Sequence, residues 1–225
     1  MPADWDRRIA RAEELADRHP AAGKVLRFYV AVAGFQKQVY LLAPPDIPAL
    51  ASLIPELRSV VERAGPRELA GRTISQRQIE AFWGDEELEP AEAFFARVLL
   101  EPYAARHSGC PFCGRKPQAA VLRPEGYGAK RSLLCALCSA EWPFPRLQCP
   151  ACGEREFDRL PVYTAPEFEH IRIDACDNCR MYLKTIDLTR NGLAVPVVDE
   201  LAAISLDLWA VDQGYTKLRP NLLAL

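Results

Sequence analysis

The chain has 225 residues, 49% of them hydrophobic and 26% charged, with a formal net charge of -2. That length supports one good-sized core or two or three small units. The near balance of charge speaks against a protein held to nucleic acid by its overall field, and no apolar run approaches the roughly 20 residues that span a bilayer. The opening MPADWDRRIARAEELADRHP lacks the apolar stretch of a secretory signal. The expectation is a cytoplasmic protein without membrane insertion. In that reducing setting its eight cysteines serve metal or redox chemistry rather than structural disulfides.

The first hundred residues read as helix. Asp4 to Arg18 places Trp5, Ile9, Ala12, Leu15 and Ala16 on one stripe, and Ala21 to Leu42 repeats the pattern with Val25, Phe28, Tyr29, Val32, Phe35, Val39 and Leu42. Pro44-Pro45 stops that helix, because proline lacks the backbone donor and disfavours helix in the residue before it. Ile47 to Ala64 is helical with an interruption at Pro55, and Gly65-Pro66 closes it. Ser75-Gln76-Arg77-Gln78 has capping-box spacing and opens a helix carrying Ile79, Phe82 and Trp83. Pro90 to Arg106 is the last of the set, with Phe94, Phe95, Val98 and Leu99 inward and Pro102 bending its final turn. Aromatics at this spacing are core residues rather than a ligand surface.

From His107 the texture changes to short runs bounded by Pro and Gly. Ala119 to Arg123, Arg131 to Cys135 and Ala140 to Phe144 predict small strands, as do Phe157 to Tyr163, Phe168 to Ala175 and Met181 to Asp187. Val198 to Gly214 returns to helix, with Leu201, Ile204, Leu208 and Trp209 apolar and Gly214 as the stop. The fold class is therefore α+β: an N-terminal all-helical domain, two tandem metal modules of zinc-ribbon type, and a C-terminal helix. The expected boundaries are 1–107 for the helical domain, 108–145 and 146–192 for the modules, and 193–225 for the helical tail. The helical domain, with its own apolar stripes, is expected to stay helical without metal.

All eight cysteines lie in four C-x-x-C pairs: Cys110/Cys113, Cys135/Cys138, Cys149/Cys152 and Cys176/Cys179. Two cysteines at this spacing supply adjacent corners of a tetrahedral thiolate site from one tight turn, with sulfurs about 2.3 Å from the ion. Cys110-Pro111-Phe112-Cys113-Gly114 and Cys149-Pro150-Ala151-Cys152-Gly153 share the form C-P-x-C-G, where proline sets φ early and glycine tolerates the left-handed conformation that follows. The pairs at Cys135 and Cys176 lack that glycine. Twenty-one residues separate Cys113 from Cys135 and twenty-three separate Cys152 from Cys176, and each gap suits a returning hairpin. Only ten residues, with Pro143 and Pro145, separate Cys138 from Cys149. Consecutive pairing follows: one site from Cys110, Cys113, Cys135 and Cys138, the other from Cys149, Cys152, Cys176 and Cys179. Such spacing is a strong signal for a metal ribbon, whereas thioredoxin-like chemistry needs a strand-then-helix setting that these knuckles contradict.

Four thiolates suit zinc or a single iron equally, and either leaves a closed shell with no position for substrate. His19, His107 and His170 are not required as ligands. The sequence contains no phosphate-cradling glycine loop, no nucleophile elbow and no H-E-x-x-H. Asp85, Glu86 and Glu87 read as a solvated charge run. No catalytic centre is visible.

Arg131-Ser132-Leu133-Leu134 ahead of Cys135, Glu141-Trp142 behind Cys138, and Tyr182-Leu183-Lys184 after Cys179 make a linked set with the four pairs. So does the tail, with Asp199-Glu200-Leu201-Ala202, Leu206-Asp207, Gly214-Tyr215 and Pro220-Asn221. From about Gly109 onward the chain resembles the formate dehydrogenase accessory protein family, FdhE. Arg180 stands where that family has glycine, which predicts a different geometry for the fourth knuckle. The resemblance implies rubredoxin-like modules holding one iron each, two in all, with zinc as the alternative. It also implies a maturation factor that binds the catalytic subunit of formate dehydrogenase and is not itself an enzyme. Two rivals stay open: a zinc-ribbon nucleic-acid-binding protein, for which Arg115, Lys116, Lys130 and Arg131 are a thin basic stripe, and a rubredoxin-like electron carrier. Self-association as a homo-oligomer is also left open. Trp142, Phe144 and the prolines beside them lie on the link between the two sites, either plugging the seam between the modules or facing the client.

Overall fold

A computed structural model describes residues 4–107 and 109–223, so Ser108 and the extreme ends of the segments 1–107 and 193–225 lie outside it. α1 (Trp5–Arg18) is opened by the Asp4 carboxylate, which accepts from the Arg7 amide at 3.0 Å, and it buries Trp5, Ala12, Leu15 and Ala16. Pro20–Ala22 forms a 3₁₀ turn rather than the start of the next helix, and α2 runs Gly23–Leu42. Its end is set by Ala43, which turns left-handed (φ 49°) just before Pro44. The stretch from Ile47 is two helices, α3 (Ile47–Ala51) and α4 (Ile54–Ala64). The break falls at Ser52-Leu53, because Pro55 sits in the first turn of α4, where its missing donor is no loss. α5 (Gln76–Trp83) begins with both halves of the Ser75/Gln78 capping box formed.

α6 (Pro90–Arg106) contains Pro102 and is buried on nearly every side. Its burial extends to two charged residues that apolar periodicity does not mark. Arg97 donates to Gln118 Oε1 and to the Pro220 carbonyl, and Glu101 accepts from the buried Gln36 amide at 2.9 Å. A helix surrounded in this way is the centre of its layer, and each buried Leu or Phe on it contributes roughly 1.5–3 kcal/mol.

The remaining strands are β1 (Ala119–Glu125), β2 (Gly128–Leu134), β3 (Glu141–Pro143), β4 (Val162–Thr164), β5 (Ile171–Ala175), β6 (Met181–Asp187) and β7 (Thr216–Lys217). Phe157–Arg159 and Pro166–Phe168 are 3₁₀ turns, which shortens two of the strands expected from sequence. The tail helix is likewise two pieces, α7 (Pro196–Ala202) and α8 (Ile204–Asp212), and the chain after it returns as β7.

The strand order is β3-β2-β1-β6-β5-β4. Each half is a three-stranded antiparallel meander whose middle strand, β2 or β5, runs straight into a knuckle. The halves join where β1 and β6 pair in parallel, Ala119 to Leu122 against Lys184 to Asp187, so both modules belong to one sheet. β7 pairs in parallel with the beginning of β6 at Met181 and Tyr182.

The largest apolar core runs through the helices and onto the sheet, taking in Ala119, Val121, Leu134 and Ile186 as well as Phe112, Cys135 and Leu137. A second core packs Ile171, Ile173, Ala175 and Tyr182 against Ala203, Leu206 and Ala210. Ala120, Leu133, Leu183 and Leu218 form a third, small cluster. No helix among the described residues is long and apolar enough to cross a membrane.

Candidate metal centres

The structure gathers Cys110, Cys113, Cys135 and Cys138 into one cluster and Cys149, Cys152, Cys176 and Cys179 into another, the sulfurs of each within 4.8 Å of one another. Four sulfurs about 2.3 Å from a common centre stand about 3.8 Å apart along each tetrahedral edge. Cys110 to Cys135 is 3.8 Å, Cys149 to Cys179 is 3.7 Å and Cys152 to Cys176 is 3.7 Å, with Cys113 to Cys138 closer at 3.3 Å. The donor set and its spacing fit a tetrahedral thiophilic cation. The cysteines are free rather than disulfide-bonded.

Local geometry explains how each knuckle aims its sulfurs. The amides of Cys135, Cys149 and Cys176 donate to the carbonyls of Ala140, Glu154 and Met181, closing the same loop three times. Within the loops Leu137 N donates to Cys135 Sγ and Ala151 N to Cys149 Sγ at 3.5 and 3.4 Å. The residue after each pair is left-handed in all four knuckles: Gly114 (φ 77°), Ser139 (58°), Gly153 (79°) and Arg180 (58°). Absence of glycine therefore does not change the turn. Ser139 and Arg180 accept a conformation that disfavours a Cβ by roughly 1–2 kcal/mol, and both are held by side-chain contacts. Ser139 Oγ accepts from Arg8 at 3.0 Å, while Arg180 pairs with Asp177, donates to the Gln213 carbonyl and lies 3.8 Å over the Tyr215 ring.

Electrostatics point the same way. Four thiols this close cannot ionise independently. Cys110 is driven far up by its hydrogen bonds with Cys135 and Cys138, and Cys135 is pulled well below the ordinary thiol value by its own with Cys110 and Cys138. Burial lifts Cys113 to about 11. A hydrogen bond with Cys110 favours ionisation of Cys138, yet Cys135 and burial push it up to about 12. In the second cluster burial raises Cys149, whereas Cys152, against the effect of desolvation, is brought down to about 7 by the Glu154 amide and Asn178. A cation bound there would resolve this competition by favouring all four thiolates together. Cys113 and Cys152, one from each cluster, are the exposed members.

Other residues singled out in the sequence find ordinary places. His107 stacks on Tyr103, His19 stacks on Phe168, and His170 Nε2 lies 2.8 Å from Asp199. Asp85 is not a solvated acid: left-handed at φ 68°, it pairs with Arg115 beside the first knuckle and with Arg219. Of the basic stripe, Arg115 is thus engaged, Lys130 pairs with Glu125 at 3.5 Å, and Arg131 is buried against Asp174. That leaves little of a nucleic-acid surface. Trp142 packs against both the main core and the small cluster around Leu133 and Leu183, and Phe144 lies beneath the Arg131 guanidinium. Trp142 does so from β3, the edge strand of the first half.

Buried polar groups carry no periodic signature, and the structure holds several. Lys184 is completely buried and pairs with Glu200 at 3.0 Å and with Asp207, which also accepts from Tyr182. Arg11, His170 and the Val195 amide all reach Asp199. The available signal was acids placed in an apolar run, Asp199-Glu200 and Asp207.

Residues 109–146 match the family model described as FdhE, central domain, and residues 147–224 match FdhE, C-terminal domain. Among curated proteins, an FdhE homolog of Aquifex aeolicus is 39% identical over 138 residues, 60% of this chain and 49% of the relative. An FdhE homolog of Stutzerimonas stutzeri is 38% identical over 116 residues, 51% of this chain and 37% of the relative. The matches span about half or less of the length of these relatives. The crystal structure of the FdhE protein from Pseudomonas aeruginosa superposes with a TM-score of 0.73 at 22% identity, covering 98% of this chain and 95% of that one. It shares the fold.

Proposed function

The chain belongs to the FdhE family, and from that premise we propose that it is a cytoplasmic accessory protein for formate dehydrogenase. It binds the catalytic subunit and supports its activation, with one iron in each four-cysteine cluster or zinc in its place. Iron there would supply a one-electron centre, and zinc a structural one. A metal held by four thiolates would offer no open position to substrate, which favours an accessory role over a catalytic one.

The observation that carries this reading is a surface beside the second cluster. Leu147, Phe157 and Val162 are 56%, 72% and 51% exposed and line one pocket with Arg146, Arg172 and Cys149. Large apolar side chains grouped with arginine are the composition of protein interfaces rather than of solvated loops. Exposed Cys113 and Cys152 favour the electron carrier as a second reading, which reversible reduction of iron in the isolated protein would test.

The decisive experiment is capture of the catalytic subunit from the same host by wild type, Cys149→Ser/Cys152→Ser and Leu147→Asp/Phe157→Asp, with folding checked for each. Wild type binds and both variants lose most of the signal. Capture of the subunit by the surface variant at the wild-type level would remove this face as the docking site. A wild type that captures no formate dehydrogenase subunit would remove the assignment.

A further inference from the structure

Arg131 belongs to the first module by sequence and strand, four residues ahead of Cys135 on β2. Its side chain reaches across to the second. Nη1 donates to the carbonyls of Pro145 (3.0 Å) and Gln148 (3.2 Å), the latter immediately before Cys149. Nη2 donates at 3.1 Å to Asp174, two residues before Cys176 on β5. Asp174 is fixed in turn by Arg172 and by Thr185 of β6. One guanidinium therefore spans the approaches to both knuckles of the second cluster. The remaining side of Arg131 lies over the Phe144 ring, and its backbone carbonyl accepts from the Phe144 amide.

The arrangement is unfavourable unless something offsets it. Arg131 is 3% exposed, and its Nε has no hydrogen-bond partner among the described residues. A buried guanidinium with an unsatisfied donor is a substantial penalty. Four thiolates around a divalent ion carry a net charge of about -2, and a fixed cation behind the knuckles favours that charge. Its planar fork also holds Nη1 and Nη2 in fixed directions toward two separated points, a span that the compact ammonium of lysine lacks.

We propose that Arg131 is a positioning residue for the second metal centre, supplied by the first module, and that it holds the Cys149 and Cys176 knuckles in the geometry that binds metal. The proposal rests on the reading that both clusters hold an ion. Groups that orient ligands without touching the metal typically change its affinity on the order of 10–100-fold when removed, and the first cluster shares none of these contacts.

The test uses the full chain loaded with zinc, as wild type, Arg131→Met and Arg131→Lys. Each is challenged with a chelator while alkylation of every cysteine is followed by peptide mass spectrometry. In wild type all eight cysteines are protected, and lack of protection at both clusters would instead remove the metal reading itself. In Arg131→Met, Cys149, Cys152, Cys176 and Cys179 react on the order of 10–100-fold faster, while the first cluster stays near its wild-type rate. Arg131→Lys keeps the charge but not the span and recovers only part of the protection. Wild-type protection in Arg131→Met, equal acceleration at both clusters, or full recovery by lysine would each overturn the proposal.

Discussion

The two four-cysteine clusters have the same knuckles and nearly the same sulfur spacings, yet they sit in opposite surroundings. The first is set into the main apolar core. Phe112, between its first two ligands, is 1% exposed, stacks on Phe82 of α5 and lies under Arg219, and Leu137, between the other two, is also in that core. At the second cluster the corresponding residues Ala151 and Asn178 are open to solvent. Besides the apolar packing of β5 and β6 on α8, that module is tied to the rest by polar contacts: the Arg131 fork, the Arg180–Asp177 pair against Tyr215, Lys184 with Glu200 and Asp207, and His170 with Asp199. Spacing defines the cage; packing decides how far the fold around it depends on the ion.

Metal removal should expose that difference most strongly. Binding at structural zinc sites is worth roughly 10–16 kcal/mol in isolated peptides, all of it folding free energy when no core stands behind the site. After chelation, hydrogen exchange should open the amides of 149–153 and 176–181 first. Those of 134–137 should outlast them, and the helical circular dichroism should remain. Simultaneous loss of protection at both clusters, or melting of the helices with the metal, would erase the contrast.

Substitution should divide along the same line. Phe112→Ala removes a buried ring and should cost about 3–5 kcal/mol in urea unfolding. Phe157→Ala, 72% exposed beside the second cluster, should fall within about 0.5 kcal/mol of wild type.

The polar tie gives the second module a pH dependence. Burial alone would raise the Asp199 carboxyl, but hydrogen bonds from His170, Arg11 and the Val195 amide hold it below the ordinary value of 3.8. A carboxylate depressed in the folded state contributes stability that is complete above its unfolded value and is lost as pH falls through the folded one. Acid below pH about 4 should thus loosen the contact between His170 and α7. Asp199→Asn should flatten that acid slope and cost about 1–3 kcal/mol at neutral pH, since Arg11 keeps Glu14 but loses the charge of its buried partner. An unchanged slope in the asparagine variant would place the acid sensitivity elsewhere.

A small effect is expected at the two non-glycine knuckles. Ser139→Gly relieves a left-handed serine but loses one bond from Arg8, and should change stability by less than about 1 kcal/mol. Arg180→Gly gives the same relief yet removes an ion pair, a carbonyl bond and a ring contact, so it should be the more destabilising of the two. The reverse order in thermal unfolding would mean that backbone strain, not the polar network, dominates at the second cluster.

What was legible in the sequence follows from the range of each signal. Local rules placed the capping box at Ser75, the span of α6 and the whole of β6, because periodicity and caps act within a few residues. The interruption expected at Pro55 falls at Ser52-Leu53, and the break at Ala203 and the turn at Phe157 leave no local mark, since short apolar runs look alike as helix, strand or turn. Parallel pairing of β1 with β6 joins residues more than sixty positions apart and leaves no local pattern. Nor does a buried charge: Lys184 and Arg131 read as surface residues until the acids that meet them arrive from other elements.

The most direct test of the account counts ions in the intact protein by native mass spectrometry, for wild type and for Cys149→Ser/Cys152→Ser. Two ions in wild type and one in the variant, with Cys110, Cys113, Cys135 and Cys138 still protected from alkylation, is the predicted result. A variant that stays folded and holds none, or a wild type that holds a single ion shared by all eight cysteines, would contradict it.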